Sequence, residues 1–156
     1  MKPVLRSLLF GGYALPSLRA DVGDLFLRAF AGLTMAITHG YPKLGAEYFK
    51  GMVGAASSAG FPAPTFFAWA ATLSELAGGL LLALGLLTRP AAFFLATTMA
   101  VAAFRIHAND PFAKKEMALL YLAIAVCYLL RGAGRLSVDH IIRTTLNGES
   151  KGLDSH

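Results

Sequence analysis

The chain has 156 residues, of which 56% are hydrophobic and only 15% are charged, whereas about 25% of residues are charged in ordinary soluble domains. A soluble domain of this length exposes too much surface to be so apolar, so the composition predicts an integral membrane protein with a single domain. The formal net charge of +5 does not indicate a nucleic-acid ligand, because apolar runs separate the basic residues and basic loops commonly hold the cytoplasmic ends of membrane proteins in place.

Four apolar segments account for most of the chain. They run over 22–40, 64–87, 90–106 and 117–130. The first three are close to the ~20 residues that cross a lipid bilayer as a helix, and the fourth is the shortest. Between the first two, apolar residues recur at helical spacing and predict a short helix in the membrane interface: Tyr48, Phe49, Met52, Val53 and Ala56. We therefore expect an all-α fold, an integral membrane four-helix bundle with a short interfacial helix between helices one and two.

The same pattern divides the chain into a cytoplasmic or interfacial N-terminal arm over 1–21, a membrane domain over 22–140 and a cytoplasmic C-terminal tail over 141–156. The start resembles a signal peptide, but Arg19 stands where a cleavage site requires small neutral residues, which favours a retained arm. Basic residues are more numerous on the side that holds both termini and the 88–90 turn. This bias predicts a multi-pass protein of the bacterial cytoplasmic (inner) membrane with both termini in the cytoplasm.

The first apolar segment carries a polar face. At 100° per residue, one side of this helix holds Arg28, Gly32, Met35 and His39, with Asp24 and Lys43 within about 60° of it. Charged groups inside a membrane cost about 2.5–3.5 kcal/mol each, so this face is expected to look into the bundle. Two roles remain open for Arg28: an ion pair with Asp24, four residues earlier, or a contact with an anionic or carbonyl group of a ligand.

Glu75, near the middle of the second segment, is the deepest charge in the sequence. The residues around it on its helix are small and would let another helix approach closely: Ala70, Ala71, Ser74, Gly78 and Gly79. We therefore predict that Glu75 faces protein rather than lipid, and that Arg28 is its partner. The pair is either a structural link that holds two helices in register or part of a proton relay or ligand anchor.

Polar residues also gather where the first and third segments end, on the predicted outer side. His39 and His107 stand at equal depth there, near Lys43 and Glu116. They are either interfacial residues that reach water or groups that transfer protons, since imidazole exchanges protons near neutral pH. The sequence predicts no metal site and no haem, because it has neither a histidine pair on each helix nor a c-type attachment motif. The single cysteine, Cys127, is interpreted as a small core residue.

Several of these segments together resemble the DoxX family of small membrane proteins, over about residues 22–140. The resemblance rests on Leu27-Arg28, His39-Gly40, Lys43-Leu44, the run from Glu75 to Gly79, the run from Leu84 to Arg89, His107, Lys115-Glu116 and the run from Gly132 to Asp139. It implies a four-helix bundle in the plasma membrane. It also implies a link to oxidoreduction, because the family includes a subunit of a thiosulfate:quinone oxidoreductase and members that assemble with soluble proteins of thiol and superoxide metabolism.

We expect a membrane subunit of a quinone-linked oxidoreductase, which presents a quinone to a soluble or membrane redox partner protein. The alternatives are a non-enzymatic membrane anchor or assembly factor for soluble redox enzymes, and a small transporter, which would need a dimer to form a pathway. The sequence leaves open whether the chain is part of an enzyme and whether it forms a homo-oligomer. The candidate ligand-binding residues are Arg28, Lys43, Glu75 and Glu116, and the candidates for proton transfer are His39 and His107.

Overall fold

The computed structural model describes residues 18–153, with side chains from 18 to 145. This part of the chain is all-helical and contains no strand, which confirms the predicted all-α class. The retained arm or signal peptide predicted over the first residues lies mostly outside it. The α-helices are α1 Leu18–Thr34, α2 Ala46–Ser58, α3 Pro64–Leu84, α4 Thr88–Val101, α5 Phe112–Arg131 and α6 Val138–Leu153.

Two of the helices continue into irregular helical turns. α1 is followed by a π-helical turn, Met35–Gly40, and a 3₁₀ turn, Tyr41–Leu44, while α4 is followed by a π-helical turn, Ala102–Ile106. The π-helical turns carry an extra residue and are frequent at functional sites. One π-helical turn directly precedes the 3₁₀ turn that carries Lys43, and the other directly precedes His107.

The helices pack in a simple order: α1 and α2 lie on α3, α3 lies on α4, and α4 lies on α5. The backbones of α1 and α3 touch at glycines. A Cβ added at Gly32 would lie 2.5 Å from the carbonyl oxygen of Gly79, and one added at Gly40 would lie 2.5 Å from the backbone nitrogen of Leu76. Of the small residues around Glu75, Ser74, Gly78 and Gly79 are buried in the protein, as the sequence predicts, whereas Ala70 is exposed.

Large apolar side chains cover much of the outer surface. Two helical segments, Pro64–Leu84 and Thr88–Ile106, are long and apolar enough to cross a bilayer. Their outward-facing residues and those of α1 and α5 include large exposed side chains, a surface that suits lipid better than water: Phe26, Phe30, Phe66, Phe94, Leu120 and Leu130. Cys127 is also exposed on α5, so its interpretation as a core residue is wrong.

Arg28 on α1 is fully buried and links three parts of the chain. Its guanidinium donates hydrogen bonds to the carbonyl oxygens of Leu82 and Ala83, at 2.9 and 2.8 Å, and to that of Leu136, at 2.7 Å. Leu82 and Ala83 belong to the last turn of α3, whose carbonyl groups have no partner within the helix. A cation also suits the negative end of the helix dipole, so Arg28 caps α3.

Asp139, at the start of α6, closes the turn between α3 and α4. Most of α6 lies in the region predicted as a C-terminal tail, 141–156. The Asp139 carboxylate accepts hydrogen bonds from the backbone N–H groups of Leu87 and Thr88, at 2.8 and 3.0 Å. Its own N–H donates to the carbonyl oxygen of Gly85, at 2.8 Å. Asp139 is thus an N-cap for α4 that comes from a distant part of the sequence.

Asp24 holds α5 at the same end of the molecule. Its carboxylate accepts a hydrogen bond from the Tyr128 hydroxyl, at 3.0 Å, and forms an ion pair with Arg131, at 2.9 Å. Gly134, with φ at +74°, lies against that carboxylate, where a side chain would collide with it. We call the residues that meet here the polar clamp: Asp24, Arg28, Gly85, Gly134 and Asp139.

Candidate functional site

A cavity of about 630 Å³ lies between α2, α3 and α4, at the opposite end of α3 from the polar clamp. Most of its wall is apolar, and the lining includes the aromatic side chains of Phe61, Phe67 and Phe94. Phe67 and Phe94 are also partly exposed on the outer surface, so the cavity opens toward the face that suits lipid. Its polar groups include those of Lys43, Ser74, Glu75 and His107.

An ion pair between Lys43 and Glu75 forms part of the cavity wall. Lys43 Nζ lies 2.5 Å from Glu75 Oε2, and the two side chains are only 14% and 4% exposed. The contact between Gly40 and Leu76 explains the pairing, because it brings the 3₁₀ turn that carries Lys43 to the level of Glu75. Burying two charges is costly, so a buried pair of this kind indicates a specific role more than a gain in stability.

The polar atoms beside this pair are incompletely satisfied. Glu75 Oε2 is close to Lys43 but outside hydrogen-bond geometry, and Ser74 Oγ has no hydrogen-bond partner within the described residues. Both residues are buried. A buried polar atom without a partner costs about 1–3 kcal/mol, so these two atoms are the ones in the cavity wall that are most able to bond with a molecule in the cavity. Ser74 was noted in the sequence only for its small size.

His107 connects the cavity with the surface. Its ring lines the cavity, and its Nδ1 lies 2.7 Å from Asp110 Oδ2. Asp110 also pairs with Lys114, at 3.6 Å. The hydrogen bond with His107 lowers the pKa of the Asp110 carboxyl, which keeps this group ionised beside the ring. The arrangement places the His107 imidazole between the cavity and a partly exposed carboxylate.

The predicted pair between Arg28 and Glu75 does not form. Arg28 is bound to carbonyl groups at the level of Leu82, and seven residues of helix, about 10.5 Å at 1.5 Å per residue, separate that level from Glu75. The glycine contacts between α1 and α3 set this register, and so Lys43 instead of Arg28 reaches Glu75. Arg28 does not line the cavity.

Two other candidate residues also lie elsewhere. His39 packs edge-on against Tyr121 of α5, with ring centroids 5.7 Å apart, and Glu116 is exposed on the first turns of α5. Neither lines the cavity. Within residues 18–153, no group of three His, Cys, Asp or Glu side chains is placed to hold a metal ion. The structure therefore brings together Lys43, Glu75 and His107 of the candidates, and adds Ser74.

Comparison with known proteins agrees with the resemblance noted in the sequence. The DoxX family model matches residues 23–108, more than half of the chain. An uncharacterized protein of Haemophilus influenzae is 35% identical over 113 residues, covering 68% of this chain and 81% of that protein. A Bacillus subtilis protein named "Putative oxidoreductase CatD" is 30% identical over 124 residues, covering 78% of this chain and 88% of that protein. No solved structure matches this chain.

Proposed function

We propose that this chain, which belongs to the DoxX family, is the quinone-presenting membrane subunit of an oxidoreductase complex. Its apolar helices indicate a membrane protein. In this proposal α1, α3, α4 and α5 form a four-helix bundle in the bacterial cytoplasmic membrane, with α2 in the interface. Both termini lie in the cytoplasm, and the cavity opens near the outer side. The oxidoreductase name of the Bacillus relative supports the class of reaction.

The single observation that carries the proposal is a lipid-facing apolar cavity with a buried Lys43–Glu75 pair in its wall. Its volume of about 630 Å³ lies within the range of about 300–1,000 Å³ typical of ligand pockets. A quinone has an apolar ring and tail and two polar oxygens. The aromatic walls fit the ring and tail. The free Ser74 hydroxyl can donate a hydrogen bond to a quinone oxygen, and Glu75 Oε2 can accept one from the hydroxyl group of the reduced form.

The polar side chains of the cavity have different chemical roles in this proposal. When bound, a quinone would supply two-electron, two-proton redox chemistry, with electrons delivered by a partner protein. The Lys43 ammonium would donate a hydrogen bond to a carbonyl oxygen and so orient the ring. Glu75 Oε2 would hold the proton that is exchanged with that oxygen. His107, oriented by the ionised Asp110, would pass protons between the cavity and the surface.

Mass spectrometry of an organic extract of the purified protein tests this function. We expect a quinone at about one per chain from the wild type and much less from Glu75→Gln, which removes the charge while keeping the shape. Glu116→Gln is the matched control, because Glu116 is exposed and outside the cavity. A well-folded wild type without quinone would refute the proposal, and a stoichiometric protein partner in that sample would favour a membrane anchor or assembly factor.

A further inference from the structure

We infer that Ser74 is a specificity-determining residue of the cavity, whose hydroxyl donates a hydrogen bond to a carbonyl oxygen of the ligand held beside Lys43 and Glu75. The inference rests on the proposed function and deepens it. A ligand bound in this way is an amphiphile whose otherwise apolar head group carries an oxygen at a defined position.

The evidence is the unusual state of the Ser74 hydroxyl. In an apolar helix, serine and threonine hydroxyls normally bond to the carbonyl group four residues earlier. Thr72 on the same helix and Thr97 on the facing helix do so, with hydroxyl-to-carbonyl distances of 2.9 Å to Ala68 and 2.9 Å to Phe93. Ser74 is only 7% exposed, yet its Oγ makes no such bond and has no other partner within the described residues.

The position of Ser74 places its free hydroxyl in the cavity wall next to Glu75. Ser74 and Glu75 are neighbours on α3, about 100° apart around the helix axis, and both line the cavity. A head group between them would meet a neutral hydroxyl on one side and the Lys43–Glu75 pair on the other. A ligand without an oxygen at the Ser74 position would leave the hydroxyl unpaired, which is how a buried polar group discriminates between otherwise similar molecules.

The neighbouring threonine provides a matched control. Thr97 also lines the cavity, but its hydroxyl is already bonded to its own helix. Thr97→Val removes a hydroxyl from the cavity wall without removing a free donor. Ser74→Ala removes the free donor and nothing else that the ligand-free protein uses.

The experiment measures the affinity of a decyl-substituted benzoquinone for the full chain in lipid nanodiscs, and the thermal unfolding midpoint without added quinone. For Ser74→Ala we expect roughly 3- to 10-fold weaker binding, the equivalent of one net hydrogen bond, and an unfolding midpoint that is unchanged or higher. For Thr97→Val we expect a change in affinity below about twofold.

The possible outcomes distinguish a failure of the role assigned to Ser74 from a failure of the proposed quinone-binding function. Equal affinity of wild type and Ser74→Ala, with quinone bound by both, would overturn the role of Ser74 and leave the proposed function standing. A lower unfolding midpoint with unchanged affinity would show that the hydroxyl is structural and would overturn the inference in the same way. Failure of the wild type to bind the quinone at all would overturn both.

Discussion

Replacing Arg28 by Met tests whether this buried arginine is structural, as its contacts indicate. The guanidinium donates three hydrogen bonds to carbonyl oxygens, those of Leu82, Ala83 and Leu136, and is fully buried. Hydrogen bonds to charged groups contribute about 1.5–3 kcal/mol each, so three of them amount to at least about 4.5 kcal/mol. Removing one partner from a buried charged network costs about 3–5 kcal/mol in measured cases, and we expect a loss in that range.

The assay compares thermal unfolding midpoints of purified proteins in one detergent and then the quinone content of the folded fraction. We expect Arg28→Met to lower the midpoint by about 10 °C, from a few degrees per kcal/mol for a chain of this length, and to leave the quinone content unchanged. Arg89→Met is the control, because Arg89 is exposed and, within the described residues, makes one hydrogen bond, to the carbonyl oxygen of Leu130 at 3.2 Å. A stable Arg28→Met protein that had lost its quinone would refute the structural reading and restore Arg28 as a ligand residue.

Two further changes test the polar clamp. Gly134→Ala should lower the free energy of unfolding by about 1–3 kcal/mol, because φ is +74° and the new methyl group would collide with the Asp24 carboxylate. Gly54→Ala is the control, because no neighbour lies within 4 Å of the added methyl group, and it should stabilise α2 by about 0.5–1 kcal/mol. Equal changes in the free energy of unfolding for the two variants, measured by chemical denaturation, would contradict this explanation. Burial raises the pKa of Asp139, but hydrogen bonds from Thr88 and Leu87 outweigh it, so its pKa lies below the ordinary 3.8. A lowered folded-state pKa means that this group stabilises the protein above pH 3.8 and that the contribution is lost as the pH falls below that value. Asp139→Asn should therefore make the unfolding midpoint less sensitive to acid, and an unchanged pH profile would count against the cap.

The types and positions of residues in the sequence predicted part of the candidate site. Glu75 was recognised from its depth and its small neighbours, and His107 and Lys43 from their place at the ends of apolar segments. These residues do line one cavity. His39 and Glu116 stand at similar places in the sequence, but lie against Tyr121 and on the exposed side of α5. Depth along a helix can be counted in residues, whereas the direction of a side chain depends on how each helix is rotated against its neighbours.

Ser74 was missed for a related reason. A serine among small residues predicts close helix packing, and in most helices its hydroxyl is satisfied by its own backbone. Only the contrast with Thr72 and Thr97, whose hydroxyls are bonded, reveals that the hydroxyl of Ser74 is free. No count of residues or periodicity contains that information.

By itself, the sequence determined the all-helical class, the approximate places of the apolar helices and the inward face of α1, because hydropathy and the 3.6-residue period act locally. The partner of Glu75 was decided by tertiary structure. Glycine contacts at Gly32, Gly40 and Gly79 set the register of α1 on α3, and that register delivers Lys43 to Glu75 and Arg28 to the end of α3. An ion pair depends on the distance between two atoms on different helices, and that distance follows from backbone packing, which the charges of the residues do not specify.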